Sequence, residues 1–368
     1  MIILRSFRIY FLQDNEFTFT TVDEFLQKLD PELQQISQSS LRDALKKEKF
    51  SEKICQLASA ACLANYNQTI DIHAFVGLVS IAGIDAGTWR VKSKLGNKMI
   101  PEALLKLSGA SLHNSTNVVE LRECRDKTEV VYISSGKQSS KLFDYVVIAF
   151  PLNKNLDFSL GFDFDYKKYE MRLTKTYFID GTLCLLPEIP LNKRNEILSC
   201  DDTIDFRGVS IQLPCDYNKK ADAQLWLDEK SKLYKVFSRV DLDKNTLCKI
   251  FREDYKIVKE IDWYAYPEYD LLKNGEKRKE FPPIIIDSKE RSRVFYLNSI
   301  EWSTSCMEAS CIAARNISLL ISKKEQSVEK TKESNHKFYK DPISIRSFVT
   351  ILSIGVLFSS YFIRKCFN

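Results

Sequence analysis

The segment Asp144-Tyr145-Val146-Val147-Ile148-Ala149-Phe150-Pro151 constrains the fold more than any other part of this 368-residue chain. An apolar run of this length is too short for a helix and lacks the alternation of a half-exposed strand. It therefore reads as a strand buried on both faces, as in a parallel sheet. A polar hairpin pattern precedes it, from Glu129 to Ser134 and through Gly136 to Leu142. A small residue and a proline end it, and in open α/β sheets ligands bind beyond the carboxyl ends of such strands. Arg293 to Asn298 reads as a second buried strand. A short polar turn then leads to a helix that Ser303 or Ser305 can start, carrying Met307, Ala309, Ile312, Ala313, Ile317 and Leu320. Free backbone N–H groups at such a helix start face any ligand there. Residues 144–151 and 293–310 are expected to share one cleft.

The remaining pattern divides between helices and antiparallel strands. Thr21 or Asp23 can cap a helix that turns Phe25, Leu26 and Leu29 inward, and Ser39-Ser40 precede Leu41, Leu45 and Phe50. A third helix runs through Ile54, Leu57, Ala61 and Leu63, and Asp71 to Ile84 forms another apolar helical unit. Trp89 to Pro101 reads as a strand and turn around Gly96-Asn97, followed by a helix with Pro101 at its first position. Gly109-Ala110 opens a strand at Ser111 to His113, and Val118 to Leu121 is extended. Tyr166 to Arg252 alternates apolar and polar residues at Thr174–Ile179, Gly208–Leu213 and Tyr234–Arg239, a large antiparallel sheet able to wall a ligand. Phe281 to Ile286 is a further extended piece.

Composition excludes some functions. The net charge of +5 comes from 54 basic and 49 acidic residues, a mixed surface with no basis for nucleic-acid binding. Ten cysteines include no Cys-x-x-Cys pair, and with only His73, His113 and His336 a zinc-type site is not indicated. Cys200 and Cys215 flank a strand-like segment and are the pair to test for a disulfide. Asn67, Asn114 and Asn316 each begin an N-glycosylation sequon. Ser347 to Ile363 is uncharged, lies between Arg346 and Arg364-Lys365, and spans about 26 Å as a helix, enough for a thin bilayer. A transmembrane helix there, with its basic end cytosolic, leaves the globular part on the lumenal side of the endolysosomal or secretory membranes.

The stretch from Lys94 through Gly96-Asn97 and Pro101 to Gly109-Ala110-Ser111-Leu112-His113 and Val118 resembles the FAD-dependent amine-oxidase superfamily. More specifically, the chain resembles the prenylcysteine oxidase (prenylcysteine lyase) family. The resemblance rests on Phe50 to Lys53, Asn65-Tyr66 with Gln68, Asp71 to Gly77, and Trp263 to Tyr269. Tyr296 to Glu301 and Met307 to Ala314 add to it. It implies an α/β flavoprotein fold with α+β elements, two domains and FAD as cofactor. It also implies oxidative cleavage of the thioether of farnesyl- or geranylgeranyl-cysteine, with molecular oxygen as acceptor. The products are cysteine, a prenyl aldehyde and hydrogen peroxide.

By the same resemblance, Val118 meets the adenine through its backbone, and Ala149 and Pro151 approach the pyrophosphate. Ser299 and Glu301 match a small-residue and glutamate turn, Met307 offers an N–H to the flavin ring, and Asn97 and Met99 face the flavin. No catalytic side chain is implied. The domains expected are a helical substrate part (1–85), an FAD part (86–153), an antiparallel-sheet substrate domain (154–290), a returning FAD strand and helix (291–322), a charged linker (323–346) and the membrane helix (347–363). The Gly-x-Gly-x-x-Gly phosphate turn of the family does not occur in these residues, so the fold is expected to lack its first βαβ unit. Two alternatives follow: an inactive lumenal prenyl-binding or scaffold protein, and an amine or polyamine oxidase.

Overall fold

The structure is a computed structural model and describes residues 8–82, 96–154, 156–189, 196–213, 232–269, 272, 275–288, 290–335 and 351–352. In chain order the helices are α1 (Arg8–Asp14), α2 (Val22–Leu29), α3 (Pro31–Ile36), α4 (Leu41–Lys47), α5 (Glu52–Tyr66), α6 (Ala74–Ala82), α7 (Met99–Ser108), α8 (Lys244–Ile250) and α9 (Met307–Asn335). The strands are β1 (Thr116–Cys124), β2 (Lys127–Ser134), β3 (Lys137–Phe143), β4 (Val146–Ile148), β5 (Ser159–Leu160), β6 (Met171–Gly181), β7 (Glu196–Leu198), β8 (Phe206–Ile211), β9 (Lys232–Ser238), β10 (Lys256–Pro267), β11 (Val294–Tyr296) and β12 (Ile351–Leu352). This is a mixed α/β chain in two compact units. One holds Met1–Gln34, Pro101–Glu170 and Glu280–Ser359, and the other holds Gln35–Ile100, Met171–Lys279 and Ser360–Asn368.

In the first unit, β3, β2 and β1 form an antiparallel meander, with β5 parallel to β1 at its far edge. A second sheet, ordered β11-β4-β12, is parallel throughout. Val118, Leu121 and Val130 of the meander share one core with Val146, Ile148 and Tyr296 of the parallel sheet. Thr21 caps α2 by accepting from the Glu24 N–H at 3.2 Å, and Phe25, Leu26 and Leu29 are buried as the apolar spacing requires. The buried Asn316 of α9 acts as a two-way clamp on the segment before α2. Its Oδ1 accepts from the Phe19 N–H at 2.9 Å, and its Nδ2 donates to the Phe19 carbonyl at 2.8 Å. Both amide groups of a buried side chain are thereby satisfied.

The second unit is built on an antiparallel sheet ordered β10-β6-β9-β8-β7. Alternation along β6 gives it two different faces. Tyr177 and Ile179 point into a core with Tyr234, Val236 and the α8 residues Leu247 and Ile250. Thr174 and Thr176 lie on the opposite face, level with Trp263 of β10 and Phe237 of β9. Helices α4, α5 and α6 form their own core of Leu41, Leu45, Cys55, Ala58, Cys62 and Val76. Ser40 caps α4 through the Asp43 N–H at 3.0 Å.

Several local expectations are corrected. Helix α7 begins at Met99, so Pro101 stands third, still within the first turn where its missing N–H costs nothing. Ser111 to His113 are exposed and form no strand; they lead into β1 through a turn with Ser115 at φ 54°. Ile54 and Leu57 of α5 are 41% and 62% exposed, because the helix presents its small residues, Ala58, Ala61 and Cys62, to the core. The predicted membrane helix at 347–363 lies outside the described residues except for Ile351–Leu352, which run as a strand parallel to β4. An apolar strand edge is a ready template for another extended segment, and these residues take that place. No helix among the described residues is long and apolar enough to cross a membrane. Trp89 to Leu95 and Cys215 also fall outside the described residues.

Candidate functional site

The carboxyl ends of β4 and β11 lie side by side. The two strands pair in parallel register, Val146 with Val294, Val147 with Phe295 and Ile148 with Tyr296, and every one of these side chains is buried. Both strands therefore open toward the same end of the sheet, the end where α/β proteins bind ligands. Ala149 is buried and Phe150 and Pro151 half-buried, as the chain leaves β4. The next residue, Leu152, donates its N–H to the Tyr296 hydroxyl at 3.2 Å, which ties the exit of β4 to the last residue of β11. Full enclosure of this phenol pushes its pKa well above the ordinary tyrosine value.

From Tyr296 the chain turns at once into a strand-to-helix corner, the 3₁₀ helix Leu297–Trp302. Asn298, Ser299 and Ile300 are buried there. The Ser299 hydroxyl donates to the Pro282 carbonyl, and Ser303 closes the turn by donating both its N–H and its hydroxyl to the Ile300 carbonyl, at 2.9 and 2.8 Å. Asn298 Oδ1 is buried without a hydrogen-bond partner among the described residues. Glu301 retains some surface, yet its carboxyl is enclosed. Burial pushes its pKa up to about 7, against the opposing pull of the Asn298 side chain, with which it is hydrogen bonded. At neutral pH this carboxyl is divided between its acid and its anion, so it can both donate to and accept from a ligand hydroxyl. Helix α9 follows, and the Cys306 Sγ accepts from the Ala309 N–H at 3.4 Å in its first turn.

Six of the eight residues singled out by resemblance fall in the first unit, and Met99, exposed at the start of α7, is not among them. Ala149 and Pro151 leave β4, Ser299 and Glu301 follow β11, and Met307 starts α9 with 65% of its surface exposed. Val118 packs in the same core as Ile148 and Tyr296. It stands at a β-bulge, since the register of β1 slips between Val118 and Glu120, and a bulge leaves a backbone residue out of the ladder. Asn97 is not gathered with them. It is exposed on the 3₁₀ turn Gly96–Lys98, in the other unit. Tyr296 and Asn298 were not singled out as site residues. The signal for Asn298 is a polar amide two residues beyond a buried strand, where packing alone calls for an apolar residue.

The corner presents an unpaired amide acceptor and an enclosed carboxyl beyond two parallel strand ends, which fit the hydroxyls of a polyhydroxylated cofactor such as FAD and not its phosphates.

Residues 2–335 match the family model described as Prenylcysteine lyase. Human Prenylcysteine oxidase 1 is 32% identical over 336 residues, covering 85% of this chain and 63% of that protein. Mouse Prenylcysteine oxidase 1-like is 28% identical over 330 residues, with the same coverage. The chain thus spans about 63% of the length of these relatives. Among solved structures, cyclohexylamine oxidase from Brevibacterium oxydans IH-35A aligns with a TM-score of 0.42 at 11% identity, covering 79% of this chain and 69% of that one. The extent of the sequence match decides the question: the chain belongs to the prenylcysteine lyase family.

Proposed function

We propose that this chain forms part of an FAD-dependent prenylcysteine oxidase. The reaction takes a prenylcysteine, oxygen and water to cysteine, a prenyl aldehyde and hydrogen peroxide. The carbon–sulfur bond on the prenyl side breaks, the aldehyde oxygen comes from water, and oxygen takes up two electrons and two protons. The observation that carries the reading is the parallel pairing of β4 with β11, which brings Ala149, Pro151, Ser299 and Glu301 to one end of a sheet in a chain of this family.

Bound FAD would supply hydride acceptance, the hard chemistry of the reaction. The chain's own residues bind and orient. Asn298 Oδ1 would accept from a cofactor hydroxyl, and the Glu301 carboxyl would hold or share a proton with another. The backbone at the Val118 bulge, at Ala149 and at Pro151 offers close approach to the nucleotide. In the second unit, Phe178 and Phe237 lie on the face of the sheet opposite the Tyr177–Tyr234 core and give that face apolar surface. Purified protein supplied with FAD and S-farnesylcysteine is expected to retain a yellow chromophore through gel filtration and to release peroxide. Colourless protein that makes no peroxide refutes the reading for this chain.

A lumenal location also belongs to this proposal. Its support is one sequon, Asn114, which is exposed in the turn before β1.

A further inference from the structure

Helix α5 is apolar on more than the face it buries. Its core side is made of small residues, Cys55, Ala58, Ala61 and Cys62. Its bulkier apolar residues, Ile54 and Leu57, are 41% and 62% exposed, and Phe50, just ahead of the helix, is 51% exposed. Ile54 and Leu57 lie one turn apart on the same side of α5, and Phe50 stands about one turn further back at its entrance. A surface helix ordinarily turns bulky apolar residues inward and polar ones outward, and here that order is reversed.

The corner that carries Phe50 is fixed by backbone. Helix α4 ends at Lys47, Lys49 takes a left-handed φ of 58°, and the Phe50 N–H donates to the Leu45 carbonyl at 3.0 Å. Leu45 is itself part of the core that α4, α5 and α6 share. The outward position of Phe50 is therefore built into the fold and is not a frayed end.

Charge selects the occupant of this surface. Lys46, Lys47, Lys49 and Lys53 are all exposed around the apolar residues, against two acidic neighbours, Glu48 and Glu52. None of the four lysines enters an ion pair among the described residues. Lysine is depleted in protein–protein interfaces, whereas helices that lie on a bilayer combine bulky apolar residues with a lysine-rich flank. The long lysine stems also let each ammonium reach the level of lipid phosphates while the apolar residues sink below it.

We propose that Phe50, Ile54 and Leu57, ringed by these lysines, form a docking surface for an anionic lipid bilayer, with the first turns of α5 lying in the plane of the interface. The surface acts independently of the apolar run Ser347 to Ile363 and of the oxidase reaction.

The test follows hydrogen exchange of the full chain with phosphatidylcholine vesicles that contain or lack phosphatidylserine. The amides from Phe50 to Leu57, where Ser51 makes no side-chain capping bond, are expected to gain protection with the anionic vesicles alone and to lose it at high salt. The lipid concentration that gives half of this protection measures the local affinity. Leu57→Ser should raise it roughly tenfold through lost apolar burial. Lys47→Gln and Lys53→Gln should each raise it roughly fivefold, from about 1 kcal/mol per basic residue near such a surface. These side chains are exposed, so the variants should melt with the parent protein. Leu107→Ser, which removes an 83% exposed leucine of α7, should leave the protection unchanged. Vesicle binding without protection at Phe50 to Leu57 overturns the proposal, as does binding indifferent to phosphatidylserine. So does an equal effect of Leu107→Ser, or a concentration-dependent dimer that Leu57→Ser dissolves, which would assign the surface to a second copy of the chain.

Discussion

Glu301 makes the chemistry of the strand–helix corner measurable without any cofactor. Its carboxyl is raised from an ordinary value of 4.5 to about 7, with burial as the largest cause. A raised carboxyl pKa means that the folded state holds a proton which the unfolded chain releases. This contribution is fully present below pH 4.5 and is lost as pH rises to the folded value, flattening above about pH 7. The span of about 2.5 pH units, at 1.36 kcal/mol each, sets a loss of roughly 3 kcal/mol. Glu301→Gln keeps the shape and stays neutral at every pH, so it is exempt from that loss. Urea denaturation of both proteins between pH 4.5 and 8 is the assay, because titrations elsewhere cancel in the difference. The two should be nearly equal in stability at pH 4.5, with Glu301→Gln ahead by roughly 3 kcal/mol at pH 8. Parallel stability profiles would show that the carboxyl is solvated, and the corner would lose its status as an enclosed site.

Other substitutions test the frame around it. Gly77→Ala should destabilise by about 1 kcal/mol in denaturant melts, although alanine suits a helix better. The new Cβ would lie 2.6 Å from Leu41 Cδ2 and 3.0 Å from Leu41 Cβ, and overpacking this fully buried neighbour outweighs the gain of about 1 kcal/mol in helix propensity. Asn316→Ala removes both clamps on Phe19 and strands a buried N–H and C=O, which should cost about 2–4 kcal/mol and release the segment before α2 to hydrogen exchange. In a secretory expression system only Asn114 should carry glycan, so Asn114→Gln alone should abolish the mass shift removed by endoglycosidase. Asn67 is 5% exposed and bonded to Arg207, and Asn316 is fully buried.

What the sequence disclosed depended on whether local pattern and tertiary setting agreed. The run Val146-Val147-Ile148 was legible because a strand buried on both faces needs no particular phase, and its partner Val294-Phe295-Tyr296 was legible for the same reason. Strand β10 was not assigned from the sequence, although it pairs with β6 from Met171 to Asp180. Two irregularities, at Ile257/Lys259 and Tyr264/Tyr266, shift its alternation partway along, so no single period of two runs through it. In α5, Ile54 and Leu57 drew attention as the large apolar residues, while the core selected Cys55, Ala58 and Cys62, whose size lets the helix approach α6 closely. Glu301 stood out as a charge beside a buried strand, but its raised pKa arises from burial, which exists only once the chain has folded.

The β4–β11 pairing has a consequence for biosynthesis. Its partners, Val146 and Val294, are separated by the entire five-stranded sheet of the second unit. A nascent chain therefore emerges with Val146–Ile148 lacking this partner while every strand from β6 to β10 is translated. Closing so long a loop is slow, and the waiting apolar edge is exposed to misassociation in the meantime. Translational pausing or chaperone capture before residue 294 should thus govern the yield of this protein more than the stability of its finished fold.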